Sequence, residues 1–170
     1  MTISDWVMIL AIFLGPIVAV QMTKYLDANK EKRQRKLDIF KTLMSTRSYA
    51  TSWDHVIALN RIDLEFEVSH QKGKAVVEAW KQYLDLLGDK TISGDQWGVK
   101  RLELLVELLH KMALVLDYDF DKTHIKNSSY FPEAHENMEN QQAKIREGII
   151  DIIEGKLYIP MNITNWPKES

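Results

Sequence analysis

Three aspartates at alternate positions, Asp117, Asp119 and Asp121, are the first residues whose types and spacing suggest chemistry. Carboxylates at i, i+2 and i+4 open a calcium loop, which also needs glycine at its sixth position for the turn and a bidentate glutamate at its twelfth. Those positions hold Lys122 and Ser128. A second loop, starting at Asp89, has Gly94 sixth but Lys100 twelfth. Neither closes a coordination shell, so no metal is expected. The histidines, His55, His70, His110, His124 and His135, include no pair at i, i+4 and no H-E-x-x-H. Cysteine is absent, which excludes thiolate nucleophiles, disulfide frameworks and cysteine zinc sites. No nucleophile elbow, phosphate loop or dinucleotide fingerprint is present, so neither catalysis nor a cofactor is expected.

Two basic clusters remain as candidate anion sites. Lys100 and Arg101 open the strongest helical stretch, and Lys122, His124 and Lys126 lie beside Tyr130 and Phe131. Either is a candidate contact for a nucleotide or oligonucleotide. Charge distribution works against a polyanion: residues 24–36 are net +4, while residues 37–170 are net −5 against a total of −2. A body of that sign repels nucleic acid in general.

The elements that position these residues read as helices throughout. From Trp6 to Met22 the chain runs for 17 residues without a charge. As a helix this spans about 26 Å, at the short end for a bilayer. A signal peptide would put its cations before the apolar run, whereas here Lys30, Lys32, Arg33, Arg35 and Lys36 follow it. A transmembrane anchor over residues 1–23 is therefore expected, single-pass, with its N-terminus outside and the rest in the cytoplasm. The five cations would meet anionic headgroups. Ala11, Gly15 and Ala19 recur every fourth residue and place small side chains on one helix face, a spacing that lets spans pack together, and Pro16 can kink the helix there.

Residues 24–50 read as a basic collar and stalk helix, and residues 51–170 as a cytoplasmic helical bundle. Thr51 and Ser52 can cap a helix entering at Trp53; a break is expected at Gln71-Lys72-Gly73, and Gly88 closes the helix that follows. Val99, Leu102, Leu105, Val106, Leu109, Met112, Ala113 and Leu116 form the broadest apolar face, over about residues 96–116. His110 is expected half-buried on that helix. Residues 117–132 read as a polar connection. Pro132 opens a last helix carrying Met138, Ile145, Ile149, Ile152 and Ile153, ended by Gly155. Trp166 and Pro167 would dock the tail. No window alternates as a strand does, so the fold class is all-α.

The stretches SDWVMILAIFLGPIVAVQ, RQRKLDIFKTLMSTR and HVIALNRIDLEF together resemble a family of short bacterial membrane-anchored proteins, defined only as a domain of unknown function. The plan of one span plus a helical cytoplasmic body is also similar to membrane effectors of antiphage systems, such as the effector of the Hailong system. That second resemblance implies a homo-oligomeric channel, a tetramer or similar, in the bacterial inner membrane. It would be gated by a nucleotide or oligonucleotide and would depolarise the host. A different class of function, a membrane-tethered module that recruits a cytosolic protein partner, fits the same order of parts.

Overall fold

The computed structural model describes residues 3–68, 70–161 and 164. Seven helices and no strand occur among them: α1 (Ile3–Thr46), α2 (Trp53–Asn60), α3 (Ile62–Glu65), α4 (Gln71–Gly88), α5 (Gly94–Val115), α6 (Lys122–Asn127) and α7 (Glu133–Ile153). The all-α expectation holds. The chain divides into two compact units, residues 1–129 and 130–170.

Helix α1 runs unbroken through Pro16 and the basic collar because residues 17–46 contain neither glycine nor proline. Its two halves face different surroundings. Every side chain from Phe13 to Gln34 is exposed, whereas Leu37, Ile39, Phe40 and Leu43 are buried at helical spacing. Among the described residues no helix is long and apolar enough to cross a membrane. Most side chains of the first half of the apolar run, Ala11 among them, lie outside the described residues. Residues 3–22 are thus a helix here, with a span not established.

The core joins the second half of α1 to α2, α4 and α5. Val76, Ala79, Trp80 and Tyr83 from α4 meet Leu105, Leu108, Leu109 and Met112 from α5. Burying each such aliphatic side chain stabilises the fold by about 1.5–3 kcal/mol. Ser52 caps α2 by accepting from the His55 amide at 3.3 Å. The expected break at residues 71–73 falls earlier, at 66–70, and Gly73 lies inside α4. A side chain there would meet the Glu67 carbonyl oxygen at 2.1 Å, so glycine is required for close approach and does not mark a turn. On α5 the apolar face includes Leu108, absent from the sequence reading, while Val99 is 61% exposed.

The connection after α5 departs most from expectation. Asp117 adopts a left-handed φ of 62° at the helix end, and the Tyr118 amide returns to Ala113 O at 3.0 Å. This Schellman-type reversal leads into an alternating segment. Asp117, Asp119 and Asp121 face solvent, while Tyr118 and Phe120 turn inward and stack on Phe40 at 5.7 and 6.3 Å. Asp121 then caps α6 through the His124 amide at 2.6 Å, and Ile125 is fully buried. The aspartates are the wet side of a docked segment, and no group of three metal-binding side chains occurs among the described residues.

In the second unit, Pro132 precedes α7 and Gly155, at φ 72°, ends it. Helix α7 has no buried residue; Met138, Ile145, Ile149 and Ile153 are all exposed. Trp166 and Pro167 lie outside the described residues.

Candidate functional site

A cleft of about 740 Å³ opens between the loop after α1, the face of α2, the second half of α4 and the start of α5. Its floor is aromatic because α4 presents Trp80 and Tyr83 on one face, three residues apart, with Leu84 and Leu87 continuing toward the rim. Leu59 and Asn60 of α2 close one side and Trp97 and Arg101 of α5 the other. Both indole N–H groups are already used: Trp80 Nε1 donates to Asp63 Oδ2 and Trp97 Nε1 to Leu86 O, each at 3.1 Å. The two indoles are therefore locked in orientation and bring no free donor to the cleft, where Trp80 is buried and Trp97 partly exposed.

Arg101 supplies the charge. Its guanidinium carbon lies 5.7 Å from the Trp97 ring centroid, one helical turn back on α5, an arrangement in which cation–π attraction holds the fork in place. Burial pushes the Tyr83 phenol above its ordinary range, and the positive charge of Arg101 pulls it the other way. No carboxylate pairs with Arg101 among the described residues.

His55 lies behind this region on α2, fully buried. The Thr46 hydroxyl donates to Thr42 O at 2.7 Å, so the His55 ring bonds Thr46 Oγ1, at 2.8 Å, by donating from Nδ1. Nε2 is left as a buried acceptor without a partner. Desolvation, with the positive charge of Arg101 as the lesser cause, holds the imidazole down at about 4, so it is neutral at ordinary pH.

The other sequence candidates separate. Lys100 is exposed and does not line the cleft. Lys122 pairs with Glu107 at 2.5 Å, which holds that carboxyl below its usual range, and Lys111 adds to the effect. His124 stacks on Phe120 at 5.1 Å and bonds Ser128 through Nδ1 at 3.2 Å, so it serves the docked segment. Lys126 and Lys122 line a separate hollow together with Glu103 and Glu107, two cations against two anions.

The collar docks the stalk. Lys32 pairs with Glu67 at 3.1 Å, and Arg35 with Glu65 and Glu31 at 2.8 and 2.9 Å. Arg33 donates to Leu116 O at 2.9 Å at the C-terminal end of α5, where a cation meets the negative end of the helix dipole. Lys36 sits over the Phe66 ring at 5.9 Å, and Lys30 is exposed. Of the small-residue face, Gly15 and Ala19 are exposed, a side chain at Gly15 would meet nothing within 4 Å, and Thr23 extends the row by donating to Ala19 O at 2.9 Å.

Trp80 and Tyr83 are not legible as site residues in the sequence because buried aromatics at helical spacing look like core. The readable signal was Trp97 and Arg101 at i, i+4. No curated protein and no solved structure matches the chain. The model of a family of unknown function, DUF6680, matches residues 1–170, and the chain belongs to that family.

Proposed function

We propose that this protein is a homo-oligomer of the bacterial inner membrane whose N-terminal helices pack through Ala11, Gly15 and Ala19 to form a regulated pore. The helical body regulates it, and opening dissipates the membrane potential, as a toxic effector of antiphage defence would. The observation that supports this most is the exposure of α1: Phe13, Ile17, Val18, Val20 and Met22 stand clear of the core on all sides. An uncharged helix of that kind loses free energy in water and gains it in lipid or against copies of itself. The collar residues also keep Lys24 and Lys30 exposed at the base of the run, where headgroups would meet them.

Gly15→Leu tests the reading. Because nothing lies within 4 Å of the added side chain in the single chain, the substitution leaves the fold intact and blocks only close packing between helices. Depolarisation read with a voltage-sensitive dye should fall at least tenfold while the variant still fractionates with membranes. Unchanged depolarisation in the variant, or recovery of the wild type in the soluble fraction, refutes the pore.

A membrane-tethered interaction module is the second reading, favoured by α7, whose exposed isoleucines leave the second unit without a buried side chain among its described residues. Units this small seldom fold on their own surface burial. Replacing residues 1–23 with a foreign membrane anchor preserves function if the protein recruits a cytosolic partner and abolishes it if the native helix is the pore.

A further inference from the structure

The cleft holds a half-buried guanidinium that no carboxylate balances among the described residues. Several other cations of the body have protein partners. Arg35 has Glu65, Lys122 has Glu107, and Arg47 donates to Ile125 O at 2.9 Å and to Met44 O. A cation facing an apolar wall with no counter-charge is costly to desolvate and binds an arriving anion strongly for the same reason. We propose that the cleft binds a small organic anion, a planar apolar body bearing one carboxylate or phosphate group, with Arg101 as the anion-binding residue.

Size, shape and charge each narrow the ligand. A volume of about 740 Å³ is that of ordinary small-molecule sites, which bury most of a ligand against apolar walls and orient it with a few polar groups. The lining combines the partly exposed Trp97, Leu84 and Leu87 with Trp80, Tyr83 and Leu59, which are buried. Since both indole N–H groups are spent on protein acceptors, the rings favour a flat apolar partner over a hydrogen-bonding one. Arg101 already stands over the Trp97 ring before any ligand arrives, so less side-chain freedom is lost when its fork engages two oxygens. One guanidinium matches one anionic group. A nucleic-acid strand needs a row of cations beside its stacking platforms, and Lys100, Lys122 and Lys126 do not line this cleft.

The site stands on the geometry of the body and is independent of the membrane reading. Full-length protein is titrated calorimetrically with 2-naphthoate, 2-naphthyl phosphate and the neutral 2-naphthamide. At least one anion should bind about tenfold or more tightly than the amide, the gain of a charge-assisted hydrogen bond pair. The better of the two tells carboxylate from phosphate. Arg101→Gln should erase that preference and leave the amide unchanged. Arg101→Lys, which keeps the charge and loses the fork, should retain part of it, and carries the test if the glutamine variant fails to fold. Anions that bind no better than the amide, no binding of any probe by folded protein, or a preference that survives Arg101→Gln or stands undiminished in Arg101→Lys overturns the proposal.

Discussion

Lowering the pH should weaken this fold through one side chain, His55. The unfolded imidazole takes its proton near 6.5 and the buried one only at about 4. Between those values the unfolded state binds more protons, so stability falls as pH falls. Above 6.5 neither state is charged and the effect is absent; below about 4 both are charged and the loss levels off. The physical cause is visible in the ring's surroundings. Nδ1–H is engaged by Thr46, and a proton added at Nε2 would be a buried donor with no acceptor, near the positive charge of Arg101. The whole displacement corresponds to about 3 kcal/mol, of which about 2 kcal/mol is already lost at about pH 5. Against a domain stability of about 5–15 kcal/mol, that is a large fraction.

Urea unfolding of the full chain, followed by helix ellipticity at about pH 7 and about pH 5, measures it. The control is His55→Asn, whose amide can still donate to Thr46 and does not titrate. Wild type should lose about 2 kcal/mol between the two pH values and the variant almost nothing. The lowered carboxyls do not confuse the window. Glu107 is held down chiefly by Lys122 and Asp89 by Thr91, and a depressed carboxyl contributes stability above its unfolded value and loses it only below, in more acid solution. Equal pH dependence in wild type and His55→Asn would refute the buried, neutral assignment.

Two further substitutions probe the backbone. Gly73→Ala would drive a methyl to 2.1 Å from the Glu67 carbonyl oxygen, and thermal unfolding should register a loss of about 2–4 kcal/mol as α4 and the preceding turn move apart; a neutral result would mean that the turn at residues 66–70 does not lie against α4. Asp117→Gly removes the cost of a left-handed residue at φ 62° and gives up only a long, exposed pairing with Lys72 at 3.8 Å, so it should raise stability by about 0.5–1 kcal/mol, read in the same melts.

What the sequence disclosed depended on how local each signal was. The period of the buried face of α5, from Leu105 to Leu116, is carried within one helix and was readable. So was the Ser52 cap, which acts three residues away. The segment from Asp117 to Asp121 was not, because its inward side is only two aromatics long and its partner, Phe40, lies on α1. Alternating acidic residues dominated the pattern and drew attention to metal chemistry. The burial of His55 is marked only by its spacing from Ala58, Leu59 and Ile62 on one helical face, a sign that the polar residue type conceals. Arg101 was readable as a candidate cation, but the aromatic surface that gives it meaning comes from α4 and from Trp97, and only packing assembles it.

The position of the cleft also bears on how the body would act on the first helix. Helix α1 is continuous from Ile3 to Thr46, and the cleft wall includes Ser48 to Thr51, the loop that leaves its end. The same helix end is fastened on its other side, where Arg47 reaches Ile125 O and Thr46 meets His55. A ligand in the cleft therefore touches the segment that follows the buried end of α1. Contact alone changes nothing: a ligand shifts an equilibrium only by the difference in its affinity for the two arrangements. Leu37, Phe40 and Leu43 in the core, with Arg33 on Leu116 O, tie the exposed half of α1 to the body, so a ligand that moved this helix would have to favour an arrangement in which those contacts differ.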